Sequence, residues 1–123
     1  MVTSYHAGLL LLRLGFSGLM LTHGLPKLLR ALQGNLEFGD PLGLGPTLSL
    51  LLVIIGEVIC PLLIIVGWKT RWAAIPTIIT MAVAAFVVHG NDPFGQKEKA
   101  LLYLVAFIVI ALVGPGRYSF DRS

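Results

Sequence analysis

Between Leu9 and Arg30 the chain reads LLLLRLGFSGLMLTHGLPKLLR, a run apolar enough to enter a bilayer that also carries Arg13, His23 and Lys27. On a helix each residue advances about 100°, so Arg13 and Lys27 fall roughly 40° apart, with His23 about 40° beyond Lys27. One narrow face therefore holds all three. A charged side chain near the bilayer centre costs about 2.5 to 3.5 kcal/mol on insertion scales, so this face has to turn toward protein rather than lipid. The rest of the chain must supply its partners.

Composition sets the class. Of 123 residues, 56% are hydrophobic and 12% charged, against about 25% charged in a soluble domain. A soluble core of this length would leave much of its Leu, Ile and Val as exposed patches. The expectation is an integral membrane protein, with residues 1–123 forming a single transmembrane domain. The net charge of +3 does not point to nucleic acid, because the basic residues are scattered among helix ends and membrane-depth positions. Cys60 is the single cysteine, which excludes an internal disulfide or a dithiol pair. The N-terminal MVTSYHAG has no cation before the apolar run and no convincing cleavage site follows, so the first span is expected to remain in the mature protein.

Four apolar stretches, near 7–30, 46–67, 71–89 and 98–114, each approach the roughly 20 residues that cross about 30 Å of hydrocarbon. The expected fold is all-α, an integral membrane four-helix bundle with four antiparallel transmembrane helices. The second stretch holds fourteen Leu, Ile and Val between Leu48 and Val66, worth about −6 kcal/mol on the insertion scale, and so carries Glu57 with it. Pro61 removes the backbone bond to residue 57, which predicts a kink and a freed carbonyl beside Glu57. The turn from Gly67 to Arg71 is so short that the second and third spans must be neighbours. Its WKTRW reads as headgroup-level sequence. In the third span Ala73, Thr77, Thr80 and Ala84 recur at helical spacing as a small-residue packing stripe. Glu98 is expected at the start of the last helix, where the dipole favours it, and Gly114-Pro115-Gly116 ends that helix. The tail leaves Tyr118 and Phe120 available to lie at the interface. Pro26 leaves open whether the first helix ends there.

Ordering the polar residues by depth divides them. At about 1.5 Å per residue, Glu57 lies roughly 16 Å below the start of its helix and His23 roughly 10 Å below the end of its own, with Arg13 deeper. This predicts a buried structural pair, Arg13 with Glu57. His23, Lys27, His89, Glu98 and Tyr103 fall toward the same membrane face. With Glu57 they form a candidate ligand-binding cluster, able to hold a polar head group or to pass protons and electrons to a redox ligand. The alternative is that these charges lock helix register while Lys27, Lys99 and Arg30 snorkel to the interface. Two isolated histidines without an H-x-x-x-H or cysteine partner do not make a metal or haem site, and neither is expected. Phe86, Phe94, Tyr103 and Phe107 could flank a quinone ring or simply pack. Counting cations in the loops gives a tie between the two faces, and the expectation is that the termini are cytoplasmic.

Six stretches together resemble the DoxX family of small four-span membrane proteins: LLLRLGFSG at 10–18, HGLPK at 23–27, GEVICPLLIIVGWKTR at 56–71, His89 with its following glycine, KEKALLYL at 97–104 and GPGRYSFD at 114–121. The tail differs from the family's usual S-L-D in having Phe120 in place of Leu. The resemblance implies a plasma-membrane bundle related to small subunits of thiosulfate:quinone oxidoreductases. It further implies partnership with a soluble or membrane oxidoreductase subunit, a quinone or sulfur-anion ligand, and no independent activity. A membrane scaffold that docks a soluble oxidoreductase is the competing expectation. A small-solute or proton carrier is disfavoured, because a single four-span chain without an inverted repeat would need to form a homo-oligomer.

Overall fold

The computed structural model describes residues 2–34, 43–88 and 90–119. Among them the chain is helical, with no strand, in four helices: α1, Val2–Leu32; α2, Pro46–Val66; α3, Thr70–Val88; and α4, Phe94–Val113. The first three are long and apolar enough to cross a membrane. The last falls short of that standard because Lys97, Glu98 and Lys99 lie within it rather than before it. It begins four residues earlier than expected because Pro93, at φ −57°, occupies the cap and fits a helix entrance. Pro26 does not end α1, which continues to Leu32.

Two helices depart from regular α geometry. In α2 the turn Ile55–Ile59 is π-helical and contains Glu57. Pro61, just beyond it, cannot donate to the carbonyl of residue 57, and that carbonyl packs on Gly24 of α1. A Cβ at Gly24 would sit 2.5 Å from the Glu57 oxygen and 2.7 Å from Val58. The kink expected at Pro61 is thus a widened turn against a glycine. The end of α3, Ala84–Val88, is also π-helical.

Contacts pair in opposite order along α1 and α2: Gly24 meets Glu57 and Val58, while Arg13 meets Ile64 and Ile65. The small-residue stripe of α3 lies on the other side of α2, where Thr77 donates to the Gly56 carbonyl at 2.6 Å. The main core joins Met20, Cys60, Ile64, Ala74, Met81 and Phe107. Cys60 is a buried member of it. Large apolar side chains such as Leu11, Ile79 and Leu112 point outward, as they must where the surrounding medium is hydrocarbon.

Between α2 and α3, Gly67 adopts φ 76° and Lys69 φ 51°. The Gly67 and Trp68 amides bond back to Leu63 and Ile64 in a glycine-closed helix end. Gly67 also lies so close to Ser119 that no side chain fits there.

Candidate functional site

Arg13 is 1% exposed, and its guanidinium gathers backbone. Nε donates to Ile64 O at 3.0 Å, Nη2 to Ile65 O at 2.8 Å, and Nη1 to Pro115 O at 3.0 Å and Tyr118 O at 2.8 Å. The first two carbonyls belong to the last turn of α2, which carries the negative end of the helix dipole; Ile64 O also accepts from the Gly67 amide. The other two belong to the segment after α4, so one side chain ties α1, α2 and the tail together. His6 Nδ1 accepts from the Arg117 amide at 2.9 Å and fastens the same segment to the start of α1.

The expected Arg13–Glu57 pair does not form. Glu57, 3% exposed, accepts instead from Lys27, whose Nζ lies 2.8 Å and 3.0 Å from the two carboxylate oxygens. Side chains on a helix lean toward its N-terminus. Because α1 and α2 run in opposite order, Lys27 leans inward and Glu57 leans toward the end of α1, so the two converge. Arg13 leans the other way, toward the end of α2. Distance along the helix axis alone does not choose between Arg13 and Lys27; the direction of lean selects the partner.

Above this ion pair lies a cavity of about 200 Å³, lined by Met20, His23, Lys27, Met81, Ala84, Lys99, Ala100 and Tyr103. Helices α1, α3 and α4 all contribute. Tyr103 is nearly buried and is held by three rings: His23 edge-on at 5.7 Å, Phe16 edge-on at 6.0 Å and Phe107 stacked at 6.5 Å. The floor is apolar, from Met20, Met81 and Ala100. The polar wall consists of an imidazole, a phenol and two ammonium groups. A cleft of about 90 Å³ between α2 and α3, walled by Leu52, Val53, Ile79 and Val83 among others, has no charged group. The polar cavity is therefore the better candidate.

Of the six residues expected in the ligand cluster, His23, Lys27 and Tyr103 line this cavity, and Glu57 stands behind Lys27. Glu98 is exposed and does not line it; its neighbour Lys99, expected only to snorkel, does. Successive residues on a helix point about 100° apart, so only one of the two can face inward. His89 lies outside the described residues, as do Glu37, Asp40 and Phe120. Phe86 and Phe94 are exposed at 61% and 65% and take no part. Met20, Met81, Ala84 and Ala100 were not anticipated. The alanines carried the only signal, since small side chains opposite large ones leave space.

A family model described as DoxX matches residues 8–90. The chain belongs to the DoxX family. Among related proteins, the inner membrane protein YqjF of Escherichia coli K12 is 31% identical over 121 residues, covering 94% of this chain and 90% of that protein. The inner membrane protein YphA of the same organism is 28% identical, covering 93% and 88%. An uncharacterized protein of Haemophilus influenzae Rd is 32% identical, covering 91% and 87%. No solved structure matches. In this DoxX protein five of the six stretches behind the resemblance have a place: LLLRLGFSG brings Arg13, HGLPK brings His23, Gly24 and Lys27, and GEVICP brings Gly56, Glu57 and Pro61. KEKALLYL brings Lys99, Ala100 and Tyr103, and GPGRYS brings the carbonyls that hold Arg13. The family match stops at residue 90, so the α4 side of the cavity lies beyond it.

Proposed function

We propose that this DoxX protein is a multi-pass plasma-membrane subunit without independent activity, serving a membrane-associated redox complex, and that the cavity receives the polar head of its ligand. The cavity itself carries the reading, because His23, Lys27, Lys99 and Tyr103 converge on one space with an apolar floor. Its place near the end of α1 and the start of α4 supports entry from the headgroup region. The three apolar helices and the names of the Escherichia coli relatives support the location. In this reading α4 is a fourth span, with Lys97, Glu98 and Lys99 at headgroup level. Ala100–Val113 supplies about 21 Å of uncharged helix, and snorkelling lysines make up the difference. The bundle then has four antiparallel spans.

A quinone or a sulfur anion is the ligand that the family resemblance suggests, and the wall fits either one. Tyr103 can donate an O–H, His23 a ring N–H, and the lysines ammonium protons to carbonyl or anionic oxygens. A bound quinone would supply the electron chemistry; the chain's own residues would orient its oxygens. Purification from native membranes, followed by extraction and absorption spectroscopy, tests this. Co-purification of a quinone or an oxidoreductase subunit, lost in a variant with the cavity filled by Ala100→Phe, is the expected result. A colourless, solitary protein indifferent to that change would remove the proposal.

The competing reading is a scaffold whose charges only hold the bundle together. Arg13 on four carbonyls and Lys27 on Glu57 favour it, since both act within the fold. It predicts that cavity variants leave partner recovery unchanged.

A further inference from the structure

We propose that the cavity walled by His23, Lys27, Lys99 and Tyr103 binds the phosphate of an anionic phospholipid drawn sideways from the surrounding leaflet. This rests on the reading of that cavity as a ligand site and assigns it a ligand class other than the quinone or sulfur anion considered above.

Among the described residues the polar wall is rich in donors and holds no carboxylate. Glu57 stands outside the lining with both oxygens on Lys27. Glu98 points about 100° away from Lys99 around the helix and does not line the cavity. A neutral ligand would use only the donors, whereas an anion also uses the charge of Lys99. Volume allows it: about 200 Å³ is more than ten times what one water requires.

Depth selects a lipid over a dissolved anion. Lys99 lies five residues inside α4 and Tyr103 nine, about 8 Å and 14 Å along the axis. The headgroup layer is about 5 to 8 Å thick on each side, so the cavity runs from headgroup level into the first acyl carbons. A free anion would have to leave water to reach Tyr103. A lipid phosphate already sits at the level of Lys99, with its acyl chains in hydrocarbon beside Tyr103, and Met20, Met81 and Ala100 offer them an apolar floor. Lys99 and Tyr103 are one turn apart on α4, so a single phosphate can meet ammonium and phenol together.

The test uses the full chain purified in detergent, with thermal unfolding followed during titration with phosphatidylglycerol, phosphatidylcholine, inorganic phosphate, thiosulfate or a short-chain ubiquinone. Phosphatidylglycerol should raise the midpoint above phosphatidylcholine at equal mole fraction. Lys99→Gln should weaken its apparent affinity roughly fivefold. Arg30→Gln, on an exposed cation outside the cavity, should change it less than twofold. Equal losses in the two variants would show general attraction to the surface and overturn the proposal. So would equal effects of the two lipids, or an equal effect of inorganic phosphate. Stabilisation by ubiquinone or thiosulfate without phosphatidylglycerol would overturn the lipid while leaving the cavity a ligand site. Indifference to every probe would overturn both.

Discussion

Arg13 is the side chain that gathers the most distant backbone segments at one point. It holds a carbonyl of residue 64, one of residue 65, and two from residues 115 and 118. A planar fork with several fixed donors suits that task, and a lysine would not. Glu57 presents the opposite case, a carboxylate whose two oxygens both meet the ammonium of Lys27. Glu57→Gln leaves Lys27 facing a neutral amide. Because the Lys27 side chain is 26% exposed while that of Glu57 is 4%, the expected loss is about 2 to 3 kcal/mol, below the range for a wholly buried pair. Thermal unfolding in detergent checks it, and no loss would mean the pair contributes nothing. Gly24→Ala places a methyl against the Glu57 carbonyl and Val58, so α1 and α2 must separate, with an expected cost of about 1 to 3 kcal/mol. Gly18→Ala, where a Cβ meets nothing, should be neutral or slightly stabilising in the same measurement.

At the scale of elements, a helix with a π turn and a tail without regular structure do most to place the polar groups. The turn Ile55–Ile59 adds a residue to the winding of α2 and brings Glu57 round to α1. The expectation of a freed carbonyl at Pro61 came from a local rule and needed no tertiary information. The tail is different, because nothing local in GPGRYS says that its carbonyls will meet Arg13. Truncation after Gly114 removes two of the four acceptors, and Arg13→Leu removes the donor. Each should lower the thermal midpoint, and the double variant should lose clearly less than the sum of the two. Additive losses would show that tail and arginine act separately.

For the whole molecule, orientation is the open choice in the sequence, since cations tie between the two faces. On the face opposite the termini, Lys27 is matched by Glu57 and Lys97 donates to the Gly90 carbonyl at 3.2 Å, which leaves Arg30 and Lys99 as the exposed cations there. On the termini side Lys69, Arg71 and Arg117 are all exposed, and Trp68 and Trp72 are 47% and 75% exposed beside them. That face should be cytoplasmic. Reporter fusions to the C-terminus, active only in the cytoplasm or only in the periplasm, check this, and a periplasmic signal would reverse it. The same experiment with the fusion placed in the loop after Gly34 should give the opposite result if α1 spans.

The sequence by itself determined the class of protein, the four helices to within a few residues at most ends, and the inward turn of Arg13, His23 and Lys27. These follow from apolar run length, from proline and glycine punctuation, and from helical periodicity, all of them local. It also determined that Glu57 needed a cation. Only the tertiary structure decided which one, because the choice depends on the opposed direction of two helices and the lean of side chains along each. The same holds for Lys99 rather than Glu98 in the cavity wall. A difference of one residue is a rotation of about 100°, and a helix's absolute rotation is fixed by what packs against it. Composition shows that charges in a membrane must find partners; packing assigns Lys27 to Glu57 and Arg13 to the backbone.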